Sequence, residues 1–327
     1  MRTKSHGASH FWPSALYSSL TWKKGLLMPE YRHAARFLAL DDAHSGPHAA
    51  VWLLPIAYEM TTSYVGGAKN GPLAILEASA QVELYDCAVG CEAALQYGIH
   101  TLPILHPTLE SPAAAMADIT AAVSALPVPE KVLVALGGEH AITPAVLRAL
   151  SQHYGDLIVV QIDAHADLRD TFDGTPYSHA CAMRRCLDHA PVIGLGIRSL
   201  CKEEADFALH SPHVALITAE QMHADAQKHY LDQLRQRLRG RKVYLTIDVD
   251  GLDPSVISAT GTPEPGGLSW YDCLALIEAI CTSGDVVAFD CVELAPTHGA
   301  HASAFAAAKL VYKTLNQIMA ARGMLQK

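Results

Sequence analysis

Runs of apolar residues alternate with longer segments of helical periodicity from about residue 50 onward. The apolar runs predict β-strands at 51–57, 131–138, 157–165, 191–197, 213–218, 242–250 and 286–294. The segments between them predict α-helices at 71–86, 111–126, 143–154, 225–239, 270–282 and 303–321. Strands that are apolar on both faces and alternate with helices are typical of a parallel sheet covered on both sides. The pattern therefore predicts an α/β fold, in three α/β/α layers with a mostly parallel central sheet.

The same pattern sets the expected domain boundaries. No repeat, charged block or low-complexity linker divides residues 37–327, so we expect one α/β domain there. Residues 1–36 precede the periodic pattern, and Pro13 breaks their apolar portion, which predicts a poorly ordered extension rather than a signal peptide. At the start of one predicted helix, Thr143 and Pro144 are typical of an N-cap and a first turn.

Acidic residues and histidines follow several of the predicted strands. The carboxyl ends of parallel strands meet at one edge of a sheet, which is where ligands bind in such folds. Within the stretch "DAHAD", alternate positions of an extended chain place side chains on the same side. Taken singly, a strand-end aspartate or histidine more often caps or anchors a loop than binds a ligand. The residues concerned are His140, Asp163, His165, Asp167, Asp248, Asp250 and Glu293.

Taken together, these residues predict a pair of metal ions. Four aspartates from two strands would meet at a partly buried site, and buried like charges need a counter-charge. Two histidines and four carboxylates are enough for two divalent ions if Asp163 and Asp248 bridge them. Oxygen-rich ligation with some imidazole favours Mn²⁺, and Ni²⁺, Co²⁺ and Zn²⁺ stay open as alternatives. The carboxylate of Glu293 would leave the pocket negative and suited to a cation.

Composition and charge narrow the function classes. Half of the residues are hydrophobic and 17% are charged, which is typical of a globular protein with a large core. The net charge of -9 argues against nucleic acid as a partner and suits a small cationic substrate. No apolar run reaches the length of a membrane span. The eight cysteines are scattered without a C-x-x-C pair, so we expect reduced thiols in a cytoplasmic protein.

The joint occurrence of several motifs resembles the ureohydrolase superfamily of arginases and agmatinases, and more closely the agmatinase branch. The resemblance covers nearly the whole chain from about residue 37. Its motifs, in order, are "GGEHA" (137–141), "DAHADLRD" (163–170), "SHA" (178–180), "DVDGLDPS" (248–255), "GTPEPGGLSW" (261–270) and "VEL" (292–294).

The resemblance implies a role for each site residue. Glu293 matches the guanidinium-binding glutamate, His179 matches the histidine of the proton-transfer loop, and Asp250 would pass a proton to the departing nitrogen. The implied fold is arginase/deacetylase-like, and family members commonly form trimers or hexamers, so we expect a homo-oligomer. One metal is implied on His140, Asp163, Asp167 and Asp248, and the other on Asp163, His165, Asp248 and Asp250.

Agmatine is the substrate that the resemblance favours, with putrescine and urea as products and a role in polyamine biosynthesis. The segment 168–179 lacks the pattern with which arginases hold an amino-acid head group. Lys69 in the loop 61–72 leaves the tail specificity open, so guanidinobutyrate, another guanidino acid or guanidine are alternatives. The single-zinc deacetylase branch is disfavoured because both metal sites are complete. A non-catalytic binding subunit is the remaining alternative, and its usual mark, a lost metal ligand, is not found.

Overall fold

The computed structural model describes residues 36–296, 299 and 301–326, so all but the last residue of the predicted extension lies outside the described residues. In the described part, two short strands form an antiparallel pair and the others form one central sheet. The paired strands are β2 (Tyr85–Asp86) and β3 (Cys91–Glu92). The sheet strands are β1 (Val51–Pro55), β4 (Ile99–Thr101), β5 (Val132–Leu136), β6 (Leu157–Ile162), β7 (Val192–Ile197), β8 (Val214–Thr218), β9 (Lys242–Asp248) and β10 (Asp285–Val292).

Helices cover the sheet on both faces, as predicted. They are α1 (Asp42–Ser45), α2 (Gly71–Ser79), α3 (Ala94–Tyr97), α4 (Pro112–Ser124), α5 (Thr143–Leu150), α6 (Ala182–Cys186), α7 (Lys202–His210), α8 (Ala219–Ala224), α9 (His229–Leu238), α10 (Trp270–Ser283) and α11 (His301–Ala321). Side chains that alternate along β5 pack against the helices on opposite faces of the sheet. Val134 packs in the apolar cluster that contains α2, α10 and α11, whereas Leu133 packs in the cluster that contains α4 and α5.

The sheet has the strand order β4-β1-β5-β10-β9-β6-β7-β8, and each neighbouring pair is parallel. The chain builds β6 to β8 outward and then returns, so that β9 and β10 fill the space between β5 and β6. As a result, the four strands followed by the candidate site residues are neighbours at the centre of the sheet. The predicted convergence of their carboxyl ends is confirmed.

The predicted strands are all present, and most end one to three residues earlier than predicted, where the polar loops begin. The sequence pattern missed the short strands β2, β3 and β4 and the helices α1, α3, α6, α7 and α8. The helix predicted over 71–86 ends at Ser79, and β2 lies within its predicted range. The prediction that Thr143 is an N-cap was wrong. Thr143 is the first residue of α5, and its hydroxyl donates to Asp290 Oδ2 at 2.6 Å, because a buried carboxylate on β10 lies within reach.

Two further observations concern the composition. None of the helices in the described residues has the length and apolar character needed to cross a bilayer. The eight cysteines are free thiols, and five of them are buried, which fits their expected role as small apolar side chains.

Candidate metal centre and its surroundings

The predicted metal ligands lie on turns immediately beyond the central strands. His140 opens a 3-10 turn (His140–Ile142) after β5, and Asp163 directly follows β6. Asp248 ends β9, and Asp250 lies in the 3-10 turn that follows (Val249–Gly251). Parallel strands with matched ends bring these turns together at one edge, as expected of an open α/β sheet.

One group of side chains surrounds His140, which is 1% exposed. Its Nδ1 lies 3.1 Å from Asp163 Oδ2, 3.0 Å from Asp167 Oδ2 and 3.4 Å from Asp248 Oδ2. Asp167 reaches this position with a positive φ of 52°, in the left-handed region that non-glycine residues rarely adopt. Backbone strain of this kind persists where the surrounding structure requires it.

A second group surrounds His165. Its Nδ1 lies 3.1 Å from Asp250 Oδ2 and 3.7 Å from Asp163 Oδ1. Asp163 therefore faces both histidines, one with each carboxylate oxygen, as a bridging ligand would. Asp248 contacts the first group, and its Oδ1 accepts the Asp250 N–H at 2.9 Å. Its bridging role, like the ligand assignment as a whole, stays a prediction.

The chemistry of the first group fits a divalent cation. The Nδ1 atom of His140 is buried without a hydrogen-bond partner among the described residues. Its other nitrogen, Nε2, lies 2.8 Å from Thr246 Oγ1, so the hydroxyl can fix the ring with the Nδ1 lone pair directed at the carboxylates. Donor atoms of His140, Asp163 and Asp167, and those of Asp163, His165 and Asp250, lie within 4.8 Å of one another in each group. The described side chains can thus hold two ions.

Among the described residues, the charges of the protein balance these carboxylates only in part. Burial opposes the ionisation of Asp163, but hydrogen bonds from His140 and His165 hold its pKa below the usual value, and the other three aspartates are not balanced in this way. Burial and the neighbouring Asp250 and Asp163 raise the pKa of Asp248 well above its usual value. Burial and Asp163 raise the pKa of Asp167 to about 6. Within the described residues, no Lys or Arg forms an ion pair with any of the four aspartates, and the histidines supply their only basic contacts.

Glu293 lies beside the first group, where β10 ends. It is 8% exposed and has a positive φ of 64°. Its N–H donates to Gly138 O at 2.8 Å, and its Oε1 accepts the backbone N–H of His140 at 2.6 Å. Gly138 must be glycine here, because a Cβ atom would lie 1.9 Å from the carbonyl oxygen of Tyr58. The structure therefore places the predicted guanidinium-binding residue next to the predicted metal ligands.

His179 lines the same opening as the second group. It begins a 3-10 turn (His179–Cys181), and Thr61 and Ser63 from the loop after β1 contact its ring. Burial, together with His140 and His165, lowers the pKa of His179 to about 4. The ring is therefore neutral near pH 7. A cavity of about 280 Å³ includes His179, His165 and Asp167 in its lining, along with Arg169, Phe172 and Thr262.

Three residues near the site were not among the site residues predicted from the sequence. Gln161, buried in β6, donates to Asp163 Oδ2 at 2.8 Å, and a polar residue in an otherwise apolar strand was the available signal. Arg169 lines the cavity, with its guanidinium 4.9 Å from the centre of the Phe172 ring. Glu264 Oε1 lies 4.0 Å from His165 Nε2. No local pattern indicates the roles of Arg169 and Glu264, since both depend on distant partners.

Lys69, the sequence-based candidate for binding the substrate tail, is exposed. Its backbone N–H donates to Glu59 Oε2 at 3.2 Å, and it lies outside the described lining of the cavity. Of the described lysines and arginines, Arg169 takes part in that lining.

Comparison with known proteins supports the same interpretation. Residues 49–316 match the family model described as the arginase family. The chain is 40% identical to N(1)-aminopropylagmatine ureohydrolase of Synechocystis over 86% of this chain and 92% of that protein. It is 34% identical to the agmatinase of Halalkalibacterium halodurans over 85% of this chain and 99% of that protein. The crystal structure of the agmatine ureohydrolase of Thermoplasma volcanium superposes with a TM-score of 0.76 at 30% identity, covering 87% and 94% of the two chains.

These similarities extend over most of each chain, and the strand-end motifs coincide with the buried cluster of histidines and aspartates. The chain therefore belongs to the arginase family, as the motifs of its sequence predict, and is a metal-dependent ureohydrolase.

Proposed function

We propose that the chain hydrolyses a guanidino cation of the agmatine type at a two-metal centre, releasing urea and an amine. The observation that carries the proposal is Asp163, whose two carboxylate oxygens face His140 and His165 in two adjacent groups of metal-binding side chains. In the proposed assignment, His140, Asp163, Asp167 and Asp248 hold one ion, with Mn²⁺ favoured. The second ion is held by Asp163, His165, Asp248 and Asp250.

Bound divalent ions would lower the pKa of a water molecule from about 16 toward 7 and stabilise charge that develops on the substrate. The protein's own groups supply orientation and proton transfer. Glu293 uses one carboxylate oxygen to accept the His140 N–H, and its second oxygen can bind the planar guanidinium by a charge-assisted hydrogen bond. Asp250 takes up the proton that the attacking water loses and passes it to the departing nitrogen, and His179 exchanges protons between the cavity and solvent.

The tail of the bound substrate is proposed to extend into the cavity of about 280 Å³. Glu264 favours a cationic tail, since its Oε1 lies 4.0 Å from Nε2 of His165, which lines this cavity. Arg169 works against this preference, but Glu204 Oε2 lies 3.9 Å from its Nε and offsets part of its charge. Agmatine, which ends in an ammonium group, fits this balance better than a guanidino acid.

A second candidate is N1-aminopropylagmatine, which carries a longer cationic tail. The observation that favours it is the 40% identity to a ureohydrolase named for that compound, against 34% to an agmatinase. Both candidates present the same guanidinium to Glu293, so they differ only in contacts along the tail.

Urea release from a panel of guanidino compounds tests the proposal. Protein reconstituted separately with Mn²⁺, Ni²⁺ and Zn²⁺ would be assayed with agmatine, N1-aminopropylagmatine, arginine and guanidinobutyrate, in wild type and in Arg169→Ala. We expect the highest kcat/KM with one of the two agmatine-type cations. A preference for guanidinobutyrate that collapses in Arg169→Ala would instead show that Arg169 binds an acidic tail.

A further inference from the structure

Glu139, the residue before the predicted ligand His140, is a fully buried carboxylate that the proposed chemistry does not use. The hydrogen bonds described for its side chain all go to the loop after β1. Oε1 accepts the backbone N–H groups of Met60 at 2.5 Å, Thr61 at 2.6 Å and Thr62 at 3.1 Å. Oε2 accepts the hydroxyl of Thr61. Four donors on one carboxylate hold this loop against the end of β5.

The hydrogen bond between Thr61 and Glu139 determines whether the Thr61 hydroxyl donates to His179 or accepts from it. Three backbone N–H groups donate to Glu139 and stabilise its ionised form, which can only accept. A threonine hydroxyl has one hydrogen, and Thr61 donates it to this carboxylate. The Thr61 oxygen is then left as an acceptor. It accepts the backbone N–H of His179 at 3.2 Å and lies 3.4 Å from the Nδ1 atom of the same residue. A favourable contact with Nδ1 therefore requires a hydrogen on that nitrogen.

The opposite nitrogen of His179 lies toward the cavity. Its Nε2 is 3.4 Å from the hydroxyl of Ser63, an exposed residue that also lines the cavity. Ser178 Oγ lies 3.4 Å from Nδ1, but its hydroxyl can rotate to donate or to accept, so it does not select a tautomer. The selection comes from Thr61, whose only hydrogen is committed to Glu139.

We propose that Glu139, acting through Thr61, is a positioning residue that holds neutral His179 as the Nδ1–H tautomer and leaves the Nε2 lone pair toward the cavity. The inference rests on the proposed function for its consequence, because a proton-transfer histidine must present a free lone pair to the reacting group. A histidine held in the wrong tautomer presents an N–H instead and cannot accept the proton.

Glu139→Gln provides the sharpest test. The three backbone N–H groups require an oxygen at the Oε1 position, which places the amide nitrogen of glutamine against Thr61. That nitrogen donates to the Thr61 oxygen, and the freed hydroxyl hydrogen can then donate to Nδ1. The substitution keeps the shape of the side chain and reverses the preference of His179 toward the Nε2–H tautomer. Thr61→Val removes the hydroxyl that selects the His179 tautomer, and Thr61→Ser retains that hydroxyl.

The kinetic readout is urea release together with metal content. We expect kcat of Glu139→Gln and Thr61→Val to fall by about 10- to 100-fold, within the range of general acid–base effects. KM and the two ions per chain should remain near the wild-type values, and Thr61→Ser should restore kcat. Thr120→Val serves as the matched control, since the Thr120 hydroxyl donates to Ala145 O at 3.0 Å, away from this loop.

A spectroscopic readout decides the tautomer directly. Nitrogen chemical shifts of ¹⁵N-histidine in the diamagnetic Zn²⁺-loaded protein, assigned with His179→Asn, distinguish the two forms of the ring. We expect Nδ1–H in wild type and Thr61→Ser, and a shift toward Nε2–H in Glu139→Gln. An Nε2–H ring in wild type, or an unchanged tautomer and kcat in Glu139→Gln, would overturn the inference. Absence of urea release from every guanidino compound would reject the proposed function, while the tautomer measurement would still decide this inference.

Discussion

Two regions of the protein bury acidic side chains, and they neutralise them in opposite ways. Asp86, the last residue of β2, is 1% exposed and accepts hydrogen bonds from two residues of α11, Lys313 Nζ at 2.5 Å and Asn316 Nδ2 at 2.8 Å. Burial opposes its ionisation, but Lys313 and Asn316 hold the pKa of Asp86 below its ordinary value. This carboxylate has its cation within the chain.

Among the described residues, the aspartates at the carboxyl edge of the sheet have no lysine or arginine partner of this kind. Burial and their mutual repulsion raise the pKa of Asp248 and of Asp250. Burial of an acid alone therefore does not indicate a metal site, because Asp86 is also buried and has its counter-charge within the chain. The informative feature is a group of buried carboxylates whose described contacts include histidines but neither lysine nor arginine.

The largest expected effect is a loss of bound metal, which should follow substitution at the site but not at Asp86. Asp163→Asn removes the charge of the carboxylate that faces both histidines, so both ions should be lost and kcat/KM should fall by more than about 100-fold, beyond the loss typical of an outer-shell change. Metal analysis of the purified variant measures this. Asp86→Asn is the matched control and should retain two ions per chain. Two tightly held ions in Asp163→Asn would remove the basis for the shared-ligand assignment.

A smaller effect is expected where charge acts on the substrate rather than on the metals. Glu293→Gln keeps the shape of the side chain and its contact with the His140 N–H, but removes the charge that pairs with guanidinium. We expect kcat/KM to fall by roughly 10- to 100-fold, the scale of one hydrogen bond to a charged group, with metal content unchanged. The exposed Glu278 on α10 supplies the control, Glu278→Gln. If Glu293→Gln kept the wild-type kcat/KM, the role of Glu293 would be purely structural.

The second region should respond in stability and not in activity. Lys313→Met leaves Asp86 buried without its cation, which we expect to cost about 3 kcal/mol of unfolding free energy. Urea denaturation measures the loss, and metal content should stay at the wild-type level. In the double variant Asp86→Asn/Lys313→Met no unpaired charge remains, so part of the stability should return. Equal losses in the single and double variants would contradict the role of Lys313 as counter-charge.

The smallest expected effect is on the pH dependence of folding stability, to which Asp167 and Asp86 contribute with opposite signs. In the metal-free protein the pKa of Asp167 is raised to about 6 from 3.8, so between these values the folded state binds more protons than the unfolded state. Its contribution to stability therefore falls as pH rises through this window. The pKa of Asp86 is lowered, so its contribution is lost only as pH falls below about 3.8.

Thermal melts check these signs. We compare EDTA-treated wild type with Asp167→Asn between pH 4 and 7, and we expect wild type to lose more stability across that range. Reconstitution with Mn²⁺ should remove the difference in slope. A steeper decline in Asp167→Asn than in wild type would show that the sign is wrong.

Much of the sheet could be predicted from the sequence, because strands buried on both faces need continuous apolar runs. The edge strand β4 was missed since its three residues, Ile99–Thr101, are too few to form a pattern. The helix α7 was missed because most of its residues are polar, and its stability depends on Glu204, which accepts the N–H of Cys201 at the start of the helix.

The kinds of donor atoms at the site and their attachment to strand ends could be predicted from the sequence, because alternation along a strand and the family motifs are local properties. The order of the strands required the folded structure, since the return of β9 and β10 to the sheet centre depends on packing between distant segments. The folded structure also placed Arg169 rather than Lys69 at the cavity, and brought Glu139, Thr61 and His179 into contact. These contacts join residues far apart in the chain, and a hydrogen-bond partner that lies 78 or 118 positions away leaves no mark on the local pattern.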